Sequence, residues 1–92
     1  MTEEARTDLL WYTAFERKLI VSDVRKQLEN EPNVETKNRK PLRENPIASW
    51  ELRVGKHRIF YEVDETARTV GIVSVGHKEH NVLWVRGKEV PL

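Results

Sequence analysis

Between residues 50 and 63 the chain alternates apolar and polar side chains with a period of two. Trp50, Leu52 and Val54 are separated by Glu51 and Arg53, and Ile59, Tyr61 and Val63 follow with Arg58 and Glu62 among them. That rhythm predicts two half-buried strands. Gly55-Lys56 lies between them, and glycine at the first central position suits a type II′ hairpin turn. The hairpin would turn one face to a core and keep Arg53 and Arg58 on the other. Thr69 to His77 predicts a third strand. Its apolar residues Val70, Ile72, Val73 and Val75 fall on both faces, which places it centrally in a sheet. Gly71 and Gly76 mark a bend or a close approach. Asn81 to Arg86 predicts a fourth strand, and Glu89 to Leu92 a short added edge.

Ahead of Pro41 the period is helical. Glu3 to Tyr12 predicts a short helix with Ala5, Leu9 and Tyr12 on one side. Thr13 and Glu16 have the capping-box spacing, so a second helix should run from about Phe15 to Asn30, with Ile20, Val24 and Leu28 as its apolar stripe. Pro32 stops it. Residues 31–49 read as a long connector with Pro32, Pro41 and Pro46. The whole is an α+β pattern in one domain, residues 1–92: a helical hairpin, then antiparallel strands, about four in number.

Composition narrows the function. There is no cysteine, which removes disulfides, thiolate metal sites and cysteine nucleophiles and fits a reducing compartment. No apolar run approaches the roughly 20 residues of a bilayer span, and the acidic start (Glu3, Glu4) is unlike a signal peptide. A soluble cytoplasmic protein, with no membrane partner and no cofactor, is the expectation. The formal charge of +1 hides an asymmetry. Residues 36–58 hold seven Lys/Arg (Lys37, Arg39, Lys40, Arg43, Arg53, Lys56 and Arg58) against Glu44 and Glu51, while residues 1–35 are net acidic. A local cationic field of this kind suits a phosphate-bearing or acidic partner. The plainer reading is a solvated loop and strand face.

Several stretches together carry a resemblance. Lys37-Asn38-Arg39-Lys40-Pro41-Leu42 follows the helical hairpin, then come Trp50-Glu51-Leu52-Arg53-Val54-Gly55, Arg58-Ile59-Phe60-Tyr61-Glu62-Val63-Asp64 and Val73-Ser74-Val75-Gly76-His77-Lys78. This chain resembles the RelE/ParE toxin superfamily of type II toxin–antitoxin systems over nearly its whole length. The resemblance implies two helices packed on a curved antiparallel sheet and a cognate antitoxin partner, with DNA met only through an antitoxin complex. RelE-type members cut mRNA in the ribosomal A site, and ParE-type members inhibit DNA gyrase. The first activity, a metal-independent endoribonuclease (mRNA interferase) with ribosome and mRNA as partners, is the primary expectation. ParE-like gyrase inhibition, or an inactive antitoxin-binding relative, is the alternative. The family usually begins with an edge strand ahead of the first helix. Met1 falls where that strand would just have ended, so one sheet edge is expected to be unpaired.

Metal-free RNA cleavage needs a group to take the 2′-OH proton, cations on the scissile phosphate and an acid for the leaving oxygen. Carried over by the resemblance, two lysine positions of the RelE pattern fall at Glu51 and Arg53, an arginine at Arg58, a later arginine at Lys78 and a tyrosine at Trp84. Arg53, Arg58 and Lys78 keep phosphate-clamp character, Glu51 reverses a charge, and Trp84 offers a stacking surface rather than a proton. Glu51, His77 and His80 are the candidate proton carriers, though the two histidines also read as polar turn residues. Lys37, Arg39, Lys40, Arg43 and Lys56 are candidate RNA-backbone contacts. A histidine metal site lacks the cysteine or carboxylate cluster to complete it.

Overall fold

The computed structural model describes residues 1–91. Helix α1 runs Glu3–Leu10 and begins at Thr2, whose hydroxyl accepts from the Ala5 amide at 3.1 Å. Helix α2 runs Ala14–Leu28. Thr13 caps it as its spacing predicts, accepting from the Glu16 amide at 3.2 Å. Here the capping box differs from its usual form. The Glu16 carboxylate takes the Thr13 hydroxyl at 3.1 Å and turns its other oxygen to His57 rather than to the Thr13 amide. Helix α1 ends before Tyr12, because Tyr12 is drawn out of the helix onto the sheet.

Six antiparallel strands form one sheet in chain order: β1 Arg39–Pro41, β2 Trp50–Val54, β3 His57–Asp64, β4 Thr69–Glu79, β5 Val82–Val85 and β6 Lys88–Glu89. Two exceed the predicted four. Strand β1 lies inside the supposed connector, and β6 is the expected short added edge, formed by Lys88–Glu89 rather than Glu89 to Leu92, whose last residue lies outside the described residues. At the β2–β3 turn Gly55 takes φ +58°, where a type II′ turn needs it. The β4–β5 turn puts both His80 (φ 51°) and Asn81 (φ 65°) in the left-handed region, the pattern of a type I′ turn. Among the described residues no helix is long and apolar enough to cross a membrane.

The sheet carries a hydrophobic cluster on each face. On the helix side Ala5, Tyr12, Ile20, Leu28, Leu52, Ile59, Tyr61, Ile72 and Val75 pack together. On the other side Ala48, Phe60 and Leu83 are joined by Leu42, Ile47, Val73, Val85 and Val90. Trp50 is half-buried at the margin of the first cluster and stacks on Tyr61, ring centroids 6.1 Å apart. Truncating Ile59, which is fully buried, to alanine would cost about 2–5 kcal/mol.

A bulge reconciles β4 with both clusters. Its register with β3 shifts between Phe60, opposite Ser74, and Tyr61, opposite Ile72. Val73 is therefore the extra residue, which turns Ile72 and Val75 to the same side despite their odd spacing. Of the two β4 glycines, only Gly76 marks a close approach. A Cβ there would lie 2.6 Å from the Trp84 carbonyl, whereas Gly71 faces open space. Asp8, almost fully buried, fastens α1 to β4 by accepting from Ser74 Oγ at 2.9 Å and the Val75 amide at 3.1 Å. Arg86 Nε lies 2.9 Å from its other oxygen.

Candidate functional site

Strand register decides which candidate residues share a face. Leu52 is opposite Ile59 and Trp50 opposite Tyr61, so these point to the helices. Glu51, Arg53, Arg58 and Phe60 point the other way. Arg58 is opposite Gly76, so Lys78, two residues on, shares its face. His77 is opposite both His57 and Trp84, which places all three on the helix side. The predicted catalytic set is thus divided by the sheet. Glu51, Arg53, Arg58 and Lys78 are brought onto one face, His77 onto the other together with the expected stacking residue Trp84, and His80 is exposed in its turn.

The two arginines do converge, but on a carboxylate of the protein itself. Arg53 and Arg58 are directly opposite across β2 and β3, a repulsive arrangement left alone. Glu51, 2% exposed, lies between them, with Arg53 Nε at 3.2 Å and Arg58 Nε at 3.6 Å. Arg58 also donates to the Gly55 carbonyl at 2.8 Å and the His57 carbonyl at 2.9 Å. Burial holds the Arg58 guanidinium below its ordinary pKa, Glu51 pushes it back up, and Arg53 lowers it. Arg53 keeps 45% of its side chain exposed, against 15% for Arg58. The face is therefore an Arg–Glu–Arg triad that keeps one positive charge and one cation reaching solvent, not the open phosphate clamp expected from the pattern.

The remaining cations disperse. Arg39, a predicted RNA contact, instead closes the end of α2. It donates to the carbonyls of Gln27, of Asn30 at 3.0 Å and of Val34 at 3.2 Å, a common use of a basic residue at a helix C-terminus. Lys40 pairs with Glu35 at 3.3 Å. Lys37, Arg43 and Lys56 are exposed, and Lys78 is half-buried.

The helix face holds a polar cluster that pattern reasoning missed. Tyr12 Oη is 2.7 Å from His77 Nδ1, and His57 Nε2 is 2.9 Å from Glu16 Oε2. Trp11 stacks on His77, and Tyr12 meets both histidines edge-on. Burial holds His77 below the ordinary histidine value, with Glu79 opposing and Lys56 assisting. Burial, then Glu16 and Asp8, raise the Tyr12 phenol. With Tyr12 as donor to Nδ1, the His77 proton would be on Nε2, which lies 3.6 Å from Glu79 Oε1. The hydrogen bond from His57 holds Glu16 below the ordinary carboxylate range. This cluster closes the turn between the helices onto the sheet. The one signal for it was the pair His57 and His77 at facing ends of predicted strands. Among the described residues no group of three acidic or histidine side chains gathers as metal ligands would.

Residues 1–82 match the family model of the ParE toxin of type II toxin–antitoxin systems, parDE. The chain belongs to that family. Among solved structures, the crystal structure of the toxin–antitoxin complex RelBE2 from Mycobacterium tuberculosis contains a similar chain. The two share 30% identity with a TM-score of 0.71, over 84% of this chain and 91% of that one. No curated protein matches the sequence. Membership confirms the α+β toxin fold that the Trp50–Asp64 string implied.

Proposed function

We propose that this ParE-family toxin disables its target by binding, in the manner of members that inhibit DNA gyrase, and is held in check by a cognate antitoxin. The observation that carries this reading is Glu51. It is buried between Arg53 and Arg58 and lies against both guanidinium groups, which a phosphate clamp would need free. The candidate proton carriers His77 and His80 are not on that face, and Trp84 supplies no acid. Inducing the gene and following DNA supercoiling, the SOS response and bulk translation tests the reading. SOS induction with normal early translation supports it, and prompt cleavage of ribosome-bound mRNA refutes it.

A second reading, ribosome-dependent mRNA cleavage, is favoured by the likeness to the RelBE2 complex and by the common face of Glu51, Arg53, Arg58 and Lys78. In it Glu51 takes the 2′-OH proton while Arg53, Arg58 and Lys78 face the phosphate, once the ribosome has opened the triad. The first reading has the advantage that it requires no rearrangement of a buried ion pair.

A further inference from the structure

Four large apolar side chains stand in water at the turn between the helices. Leu10 is 68% exposed, Trp11 52%, Phe15 71% and Leu19 48%. Phe15 and Leu19 are one turn apart on the solvent side of α2, and Leu10 and Trp11 close the end of α1. Three hollows that adjoin α2 are lined by its other residues and by none of these four, which form a projecting tip rather than the wall of a groove. The tip is also held. Trp11 stacks on His77 with ring planes 16° apart and meets Tyr12 edge-on, ring centroids 5.3 Å apart. Gly87 lies beside the same indole, since a Cβ there would come within 3.3 Å of it. The hydrogen bonds between Tyr12 and His77 and between Glu16 and His57 tie the turn to β4 and β3. Arg6 on the exposed side of α1, and Lys18 and Lys26 on that of α2, have no carboxylate within ion-pair distance among the described residues.

Large apolar side chains gathered in water mark an interaction site, and an aromatic anchor fixed before contact loses little freedom on binding. Apart from Met1 and Val34, no other large apolar side chain of the described residues is exposed. On the opposite face of the sheet the arginines are already engaged by Glu51. Shape and charge choose the occupant. A projecting tip needs a concave receiver, and cations without partners at its border call for carboxylates there. A second copy seated across a two-fold axis would bring like lysines together, which disfavours self-association. We infer that the toxin grips its target protein through this tip, inserting Trp11, Phe15 and Leu19 into an apolar cleft bordered by carboxylates. The inference rests on the proposed action by binding and names the surface that performs it.

Growth arrest by the toxin without antitoxin is the first readout, because it does not depend on which target is struck. Phe15→Ser with Leu19→Ser removes two anchors, and Lys18→Glu reverses the border charge. All three positions are exposed, so both variants should keep the wild-type circular dichroism spectrum and thermal midpoint. Should the serine pair lower that midpoint, Lys18→Glu alone decides. Each variant should need at least tenfold more toxin for the same arrest. Purified DNA gyrase is the second probe, and should bind both variants at least tenfold more weakly than the wild type. A wild type that does not bind gyrase, beside variants that lose toxicity, would sink the gyrase reading and leave the tip standing. Full toxicity in the folded variants overturns the inference. So does loss of antitoxin binding with toxicity intact, which assigns the tip to the antitoxin. Self-association, or binding to phosphatidylglycerol vesicles, that the serine pair abolishes while toxicity persists also overturns it, and assigns the tip to a second copy or to a lipid surface.

Discussion

Glu51→Gln is the substitution that weighs most on the site. Glutamine keeps the shape and one acceptor for Arg53, so what is lost is the negative charge between two opposed guanidinium groups. Removing one partner of a buried ion pair typically costs about 3–5 kcal/mol. Arg53, with 45% of its side chain exposed, can swing into water, so the lower end of that range applies. Arg58, at 15% exposed and held by two carbonyls, cannot follow it easily. A loss of about 3 kcal/mol corresponds to roughly 12–24 °C in Tm for a domain of this size. Thermal and urea unfolding of the wild type, Glu51→Gln, Arg58→Met and the double variant would measure both the loss and the coupling. With Arg58 already removed, Glu51→Gln should be less costly by at least about 1 kcal/mol. Additivity within about 0.5 kcal/mol would show that Glu51 and Arg58 do not interact, and with it the account of a carboxylate shared by two arginines would fail.

Other perturbations follow from separate features. Gly76→Ala forces a Cβ against the Trp84 carbonyl, and overpacking of this kind costs about 1–3 kcal/mol; unchanged urea midpoints would contradict the close approach. Asp8→Ala removes two hydrogen bonds to a buried carboxylate, each of a kind worth about 1.5–3 kcal/mol, and should loosen α1 first, seen as faster amide exchange in residues 3–10 than in α2. The depressed His77 pKa means that the folded state prefers the neutral ring. Its contribution is complete above the unfolded value near 6.5 and declines as pH falls below that. Urea midpoints should therefore drop from pH 7 to pH 5, and His77→Gln should flatten that slope; an unaltered slope assigns the pH dependence elsewhere. Thr13→Ala should cost about 1 kcal/mol as a lost N-cap, read by thermal unfolding.

The elements that announce themselves locally were legible. Thr13 and Glu16 fix the start of α2 by their spacing, and Gly55 fixes the β2–β3 turn. Strand β1 was not legible, because Arg39-Lys40-Pro41 has no alternation and becomes a strand only by lying beside Leu52, Glu51 and Trp50. The bulge at Val73 was hidden for a related reason: both periods of β4 are present in the sequence, but only pairing with β3 shows where one gives way to the other. At the site, residue type suggested a clamp and strand parity could place Arg53 and Arg58 together. That Glu51 reaches both guanidinium groups depends on side-chain reach and burial, which a period of two does not encode. Arg39 misled in the same way, since its charge was visible and the helix end that receives it was not.

One inserted residue in β4 separates two tasks along a single strand. Upstream of Val73 the strand meets the start of α1 through Ile72. Downstream it takes Asp8 at Ser74 and Val75, then carries His77 to Tyr12 and to β5. Deleting that one residue would turn one end of the strand inside out relative to the other, so the two sides of the sheet cannot be rebuilt independently at this point.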